Sequence, residues 1–166
     1  MNTPTLYLVS GISGSGKSSF TEIYKEALKA KEVNADNIRI RFGNVNDQNN
    51  NKKVFEIVDD EINKYLAGGF NVIVSNTNLH YSIYKKYSQK YPYNRIVGLL
   101  MRDSNDVELC KKRVKEDIEK GKNRSNVPME VIDKQHMNFL NLLEDIKKDD
   151  KIQFFWVNGD FSIGEK

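Results

Sequence analysis

Residues 5–18 read TLYLVSGISGSGKS, and no other stretch of the chain restricts its fold as tightly. TLYLVS (5–10) is a short apolar run and reads as a buried strand. KSSFTEIYKEALKA (17–30) carries Phe20, Ile23, Tyr24 and Leu28 at helical spacing. Between them, GISGSGKS matches G-x-x-x-x-G-K-[ST]. Gly11 and Gly16 permit backbone geometry that a Cβ would block. Consecutive N–H groups from Ser13 to Ser18 can then cup an anion, and the helix starting near Lys17 adds the partial positive charge of its N-terminus. Lys17 is placed to reach β- and γ-phosphates, and the Ser18 hydroxyl to hold Mg²⁺. A plain Gly/Ser-rich turn does not account for the lysine and serine at these offsets. A site for ATP and Mg²⁺ is therefore expected on Gly11, Ser13, Gly14, Ser15, Gly16, Lys17, Ser18 and Ser19, with Ser18 as the metal ligand.

The rest of the chain alternates apolar runs with amphipathic stretches. KVFEIVDDEINKYLAGG (53–69) predicts a helix through Val54, Phe55, Val58, Ile62 and Leu66, ending on two glycines. NVIVS (71–75) and RIVGLLM (95–101) predict strands, with a short helix, SIYKKYSQKY, between them. DVELCKKRVKEDI places Val107, Cys110, Val114 and Ile118 on one helical stripe. Pro128 opens another helix, since proline is tolerated in a first turn. KIQFFWVN (151–158) closes as a strand. Such alternation predicts an α/β domain, with about five parallel strands covered by helices on both faces.

The totals narrow the class. The chain of 166 residues fits one domain, read as 1–166. No apolar run is long enough to cross a bilayer, so no membrane partner is expected. The N-terminus enters a strand without a basic leader, and one cysteine excludes an intrachain disulfide. A cytoplasmic setting follows as the expectation. Net charge is +3, too mild to imply nucleic acid by itself. Basic residues cluster in KKRVKEDIEKGKNR (111–124), but interleaved acids make a solvated helix face the simpler reading. Cys110 and His136 sit on apolar stripes and read as packed residues, and two histidines with one cysteine give no zinc pattern. Tyr84, Tyr87 and Tyr91 at helical spacing read as packing rather than a base-stacking platform.

VNADNIRIRF (33–42) bears on the acceptor of a phosphoryl group. A short strand ending on Asp36, with Arg39 three residues later, sets a carboxylate and a guanidinium on one side of a turn. A hydroxyl acceptor needs a base near the attacking oxygen, and an anionic acceptor needs a fork-shaped cation. Taken alone, Asp36 reads as a helix N-cap. The P-loop ahead of it favours the base.

Taken together, SGISGSGKSSF, NADNIRIRFG, NDQNNNKKVFEIV, NVIVSNTNL and the later Val-Pro resemble the P-loop kinase family that contains the kinase domain of bacteriophage polynucleotide kinase and its bacterial RNA-repair relatives. The resemblance runs over about residues 5–140. It implies a P-loop kinase fold and ATP-dependent transfer to the 5′-OH end of DNA or RNA, as in nucleic acid repair. Asp36 matches the family's general base. Arg39 matches the arginine that holds the acceptor's neighbouring phosphate, and Lys17 and Ser18 match the ATP-phosphate and Mg²⁺ ligands. Asn76, Thr77 and Asn78 fall at the acceptor-side turn. A basic lid at about 119–128 is implied, with Arg113, Lys122 and Arg124 as candidate phosphate cations and Arg124 preferred. The family strand ends Asp-x-Thr-Asn, whereas this chain has Asn76 in the acid's place. Asn76 is therefore expected to offer Arg39 a neutral hydrogen bond. Two other functions stay open: a kinase of a free nucleoside, nucleotide or other small metabolite, and an ATP-binding switch without acceptor chemistry. The Asn/Lys-rich composition, with the resemblance, points to a phage or an AT-rich bacterium.

Overall fold

The computed structural model describes residues 3–43, 50–122 and 127–166. Its elements are β1 (Thr5–Ser10), α1 (Lys17–Tyr24), β2 (Ala30–Val33), α2 (Ala35–Arg41), α3 (Asn51–Ala67), β3 (Asn71–Val74), α4 (Tyr81–Lys90), β4 (Arg95–Met101), α5 (Val107–Glu119), α6 (Met129–Ile146), β5 (Gln153–Val157) and β6 (Ile163–Glu165). They form one six-stranded sheet in the order β2-β3-β1-β4-β5-β6. The first five strands run parallel, as expected, and β6 is antiparallel to β5.

Both faces of the sheet are covered, and the period-2 alternation of the strands divides the core. Leu6, Leu8, Val72, Val74, Ile96 and Leu100 face the buried stripe of α3 (Val54, Val58, Ile62, Leu66), together with Tyr84, Leu142 and Ile146. The alternate residues Val9, Ile73, Val97, Leu99 and Met101 pack on the other side with Phe20 of α1. β1 lies between β3 and β4, so its C-terminal end, where the P-loop begins, is held on both sides. Ligand clefts of open α/β sheets form at that edge.

The elements depart from expectation where packing overrides periodicity. α1 ends at Tyr24 rather than Ala30, because Leu28 and Ala30 pack against the Phe20 side of the core and Ala30 enters β2 opposite Asn71. Ile23, Phe55 and Ile118, expected on buried stripes, are exposed; on α3 the stripe runs through Val54 at i, i+4 spacing, and Phe55 lies one residue round the helix from it. Cys110 is fully buried, and Sγ donates to the Asp103 carbonyl at 3.2 Å. Tyr84 is fully buried and shares a hydrogen bond with Ser10 Oγ, which supports packing for this tyrosine. Among the described residues no helix is long and apolar enough to cross a membrane.

Candidate active site

A cleft of about 970 Å³ opens at the C-terminal edge of the sheet. The P-loop forms its floor. Asp36, Asn37, Arg39 and Ile40 of α2 line one side. Arg113, Asp117 and Lys122 approach from the α5 side, and Asn158, Gly159 and Phe161 close the end.

The loop's shape depends on two left-handed glycines, Gly14 (φ 83°) and Gly16 (φ 99°). At Gly14 a Cβ would lie 2.4 Å from the Cys110 carbonyl oxygen, so only glycine lets the loop pass this close to α5. Neighbouring elements also pin the loop. Gly11 N–H donates to Thr77 O (3.0 Å), Ile12 N–H to Ser104 Oγ (3.1 Å), and Ser13 N–H to Gln135 Oε1 (2.9 Å). Ser15 N–H donates to Ile12 O (3.1 Å). The amides of Ser13 and Ser15, expected to face an anion, are therefore engaged inside the protein. Those of Gly14, Gly16 and Ser18 bond to no backbone carbonyl among the described residues. Lys17 Nζ folds back on the carbonyls of Gly11 (3.0 Å) and Ile12 (2.8 Å). Ser15 Oγ is buried with no hydrogen-bond partner among the described residues.

This cradle fits a nucleotide triphosphate. Left-handed glycines, a lysine over the loop and a helix N-terminus converge on one concavity, and the exposed Ser18 hydroxyl opens into it. Among the described residues, no cluster of three acids, histidines or cysteines forms a metal cage. Magnesium held by one hydroxyl, phosphate oxygens and waters needs no such cage.

Opposite the loop stands a second constellation, built on the start of α2. Asn34 is its N-cap, its Oδ1 accepting the Asn37 N–H at 3.1 Å. Asp36 is therefore neither a strand end nor the cap; it sits in the first helical turn. Asn34 Nδ2 donates to Ser75 O (3.1 Å) and Ser75 Oγ (3.0 Å), and Ser75 Oγ donates to Glu32 Oε2 (3.1 Å). Asn76 Oδ1 accepts the Ala35 N–H at 2.8 Å. The turn after β3 thus fastens the N-terminus of α2 and aims Asp36 and Arg39 into the cleft.

Arg39 and Asp36 are paired at 2.7 Å, with side-chain exposures of 11% and 43%. The expected bond from Arg39 to Asn76 is not formed. Asn76 is committed to the Ala35 N–H, and Asn51 at the start of α3 takes its place, its Oδ1 accepting from Arg39 Nε (3.3 Å) and Nη2 (2.9 Å). Asn51 stands in the NDQNNNKKVFEIV stretch, which carries part of the family resemblance but to which sequence reading assigns no side-chain role. Glu32 was equally hidden: it lies on β2, and only sheet pairing brings it beside Ser75 and into the cleft.

The remaining candidates divide. Thr77 lines the cleft. Asn78 does not reach it; its buried amide donates to Val9 O (2.8 Å) and Val74 O (3.1 Å), tying β1 to β3. Arg113 braces the P-loop itself, donating to Gly14 O at 3.2 Å and pairing with Asp103 at 2.9 Å. Lys122 pairs with Asp117 at 3.2 Å on the cleft wall. Arg124 and the middle of the expected lid, residues 123–126, lie outside the described residues.

A family model described as an AAA domain matches residues 6–142. Among solved structures, the fold is similar to a chain of the Pnkp1/Rnl/Hen1 RNA repair complex, with a TM-score of 0.75 and 22% identity over 91% of this chain and 48% of that one. The present chain thus spans about half that neighbour's length. It is also similar to a gluconokinase from Sinorhizobium meliloti 1021 (TM-score 0.56, 24% identity, 95% of this chain and 84% of that one). A deoxyadenosine kinase from M. mycoides shares the fold as well (TM-score 0.57, 13% identity, 95% and 92%). At these identities the likeness speaks to fold. No curated protein matches the chain.

Proposed function

The chain belongs to the AAA-domain family, and from that premise we propose that residues 1–166 act as one kinase domain that moves the γ-phosphoryl group of ATP to the 5′-hydroxyl of a DNA or RNA end. The observation that carries this reading is the Asp36–Arg39 pair, clamped by Asn51 and sharing one cleft with the P-loop.

Lys17 and the amides of Gly14, Gly16 and Ser18 would hold the triphosphate, and the Ser18 hydroxyl would hold magnesium, which would supply neutralisation of phosphate charge. Asp36 takes the proton of the acceptor hydroxyl. That oxygen bonds to the γ-phosphorus as the bond to the β–γ bridging oxygen breaks in line, releasing ADP. Arg39 docks the acceptor's neighbouring phosphate. Of the guanidinium's five donors, three are engaged with Asp36 and Asn51, and two remain for an incoming oxyanion. Lid cations at about 119–128, Arg124 foremost with Lys122, offset charge on the transferring group, while Arg113 steadies the loop. Most of the work is positioning and charge neutralisation.

A second reading, a kinase of a small metabolite, draws support from the fold shared with gluconokinase and deoxyadenosine kinase over most of their lengths. Labelled ATP incubated with a 5′-OH oligonucleotide, a nucleoside panel and gluconate separates the two. The oligonucleotide is expected to take the label; labelling of small acceptors alone would overturn the polynucleotide reading.

A further inference from the structure

The α2–α3 wall of the cleft carries an aromatic side chain that the phosphate chemistry does not use. Phe55 is 46% exposed although it stands on a long helix whose apolar stripe is otherwise buried, and it lines the cleft beside Arg39 and Ile40. It follows Asn51 by one helical turn, so the two share a face of α3. The Arg39 guanidinium lies over its ring, 5.7 Å from the centroid. Ile40 is 43% exposed on the same wall. Nearby, the Lys53 ammonium lies over Phe42, itself 39% exposed, at 5.4 Å.

Exposed aromatic rings interleaved with cations beside a phosphate-docking arginine have the chemistry of a single-stranded nucleic acid platform. We propose that Phe55, supported by Ile40, is the stacking subsite for the 5′-terminal nucleobase of the acceptor. The inference rests on the polynucleotide reading and deepens it. One nucleotide would then be held at three points: its 5′-hydroxyl at Asp36, its 3′-phosphate at Arg39 and its base on Phe55. A sugar acid has no flat group to cover that ring.

The test uses a 5′-OH oligonucleotide with 2-aminopurine as its first base, and the same strand with an abasic first residue. Binding to the wild-type protein quenches the 2-aminopurine as it stacks. Phe55→Leu, which keeps an apolar side chain at an exposed position, is expected to abolish the quench and weaken oligonucleotide binding by about 5- to 150-fold. ATP affinity is expected to stay unchanged, and Phe55→Trp to restore stacking. The abasic strand is expected to bind wild type as weakly as the normal strand binds Phe55→Leu, and to lose nothing further in that variant. An unchanged quench in Phe55→Leu, or equal binding of abasic and normal strands by wild type, overturns the subsite. Phosphorylation of the strand without a quench sinks the subsite and leaves the kinase reading standing. A quench that depends on Phe55 with no phosphorylation does the reverse.

Discussion

Asn51→Ala isolates the clamp on Arg39. Asn51 Oδ1 accepts two guanidinium N–H groups, and the arginine side chain is 11% exposed, so water replaces the lost acceptor poorly. A hydrogen bond to a charged group contributes about 1.5–3 kcal/mol, or about 10- to 150-fold in an equilibrium. The ion pair with Asp36 survives the change and limits how far Arg39 can stray, which puts the expected effect near the lower bound. Steady-state kinetics should show acceptor KM raised about tenfold, with the KM for ATP unchanged, since Asn51 does not line the cleft at the P-loop. Asn51→Asp, whose carboxylate accepts the same donors, should restore acceptor KM. A raised ATP KM with normal acceptor KM would refute the assignment of Arg39 to the acceptor.

Three further changes probe the scaffold. Gly14→Ala sets a Cβ against the Cys110 carbonyl at a φ of 83°, and calorimetry should find ATP affinity lowered by about tenfold or more. Asn76→Asp keeps the acceptor for the Ala35 N–H and adds charge at a helix N-terminus, raising stability by about 0.3–1 kcal/mol, whereas Asn76→Leu orphans that N–H and costs about 1–3 kcal/mol; thermal melts read both. Burial pushes the Cys110 thiol up from near 9 to about 11, so a thiol reagent at pH 8 should label it only after denaturation. The folded thiol keeps its proton where the unfolded one has lost it, so stability should fall as pH rises from about 9 to about 11, with a shallower slope in Cys110→Ala.

The sheet and the P-loop were legible because their signals are local: apolar runs for β1, β3 and β4, and fixed offsets from Gly11 to Ser18. Cys110 was legible for the same reason, as one position on a helical stripe. β6 was not, being a three-residue edge strand without apolar alternation. Asp36 and Arg39 could be picked out, but not what holds them. Asn34, Ser75 and Asn76 act across strands 41 residues apart in sequence, and Asn51 acts across a helix–helix contact. Hydrogen-bond partners at that range leave no periodic trace. For the same reason Asn76 was assigned to Arg39 from its family position, when the nearer donor was the Ala35 amide. Phe55 was misjudged by a single helical step, enough to turn a core residue into a cleft residue.

The central claim is that Asp36 deprotonates an acceptor hydroxyl in the cleft that holds ATP. Transfer of label from γ-labelled ATP to a 5′-OH oligonucleotide by wild type and Asp36→Asn, with ATP affinity measured for both, tests it most directly. Transfer is predicted to fall by about 10²- to 10⁴-fold with ATP affinity unchanged. Transfer undiminished in Asp36→Asn would contradict the account.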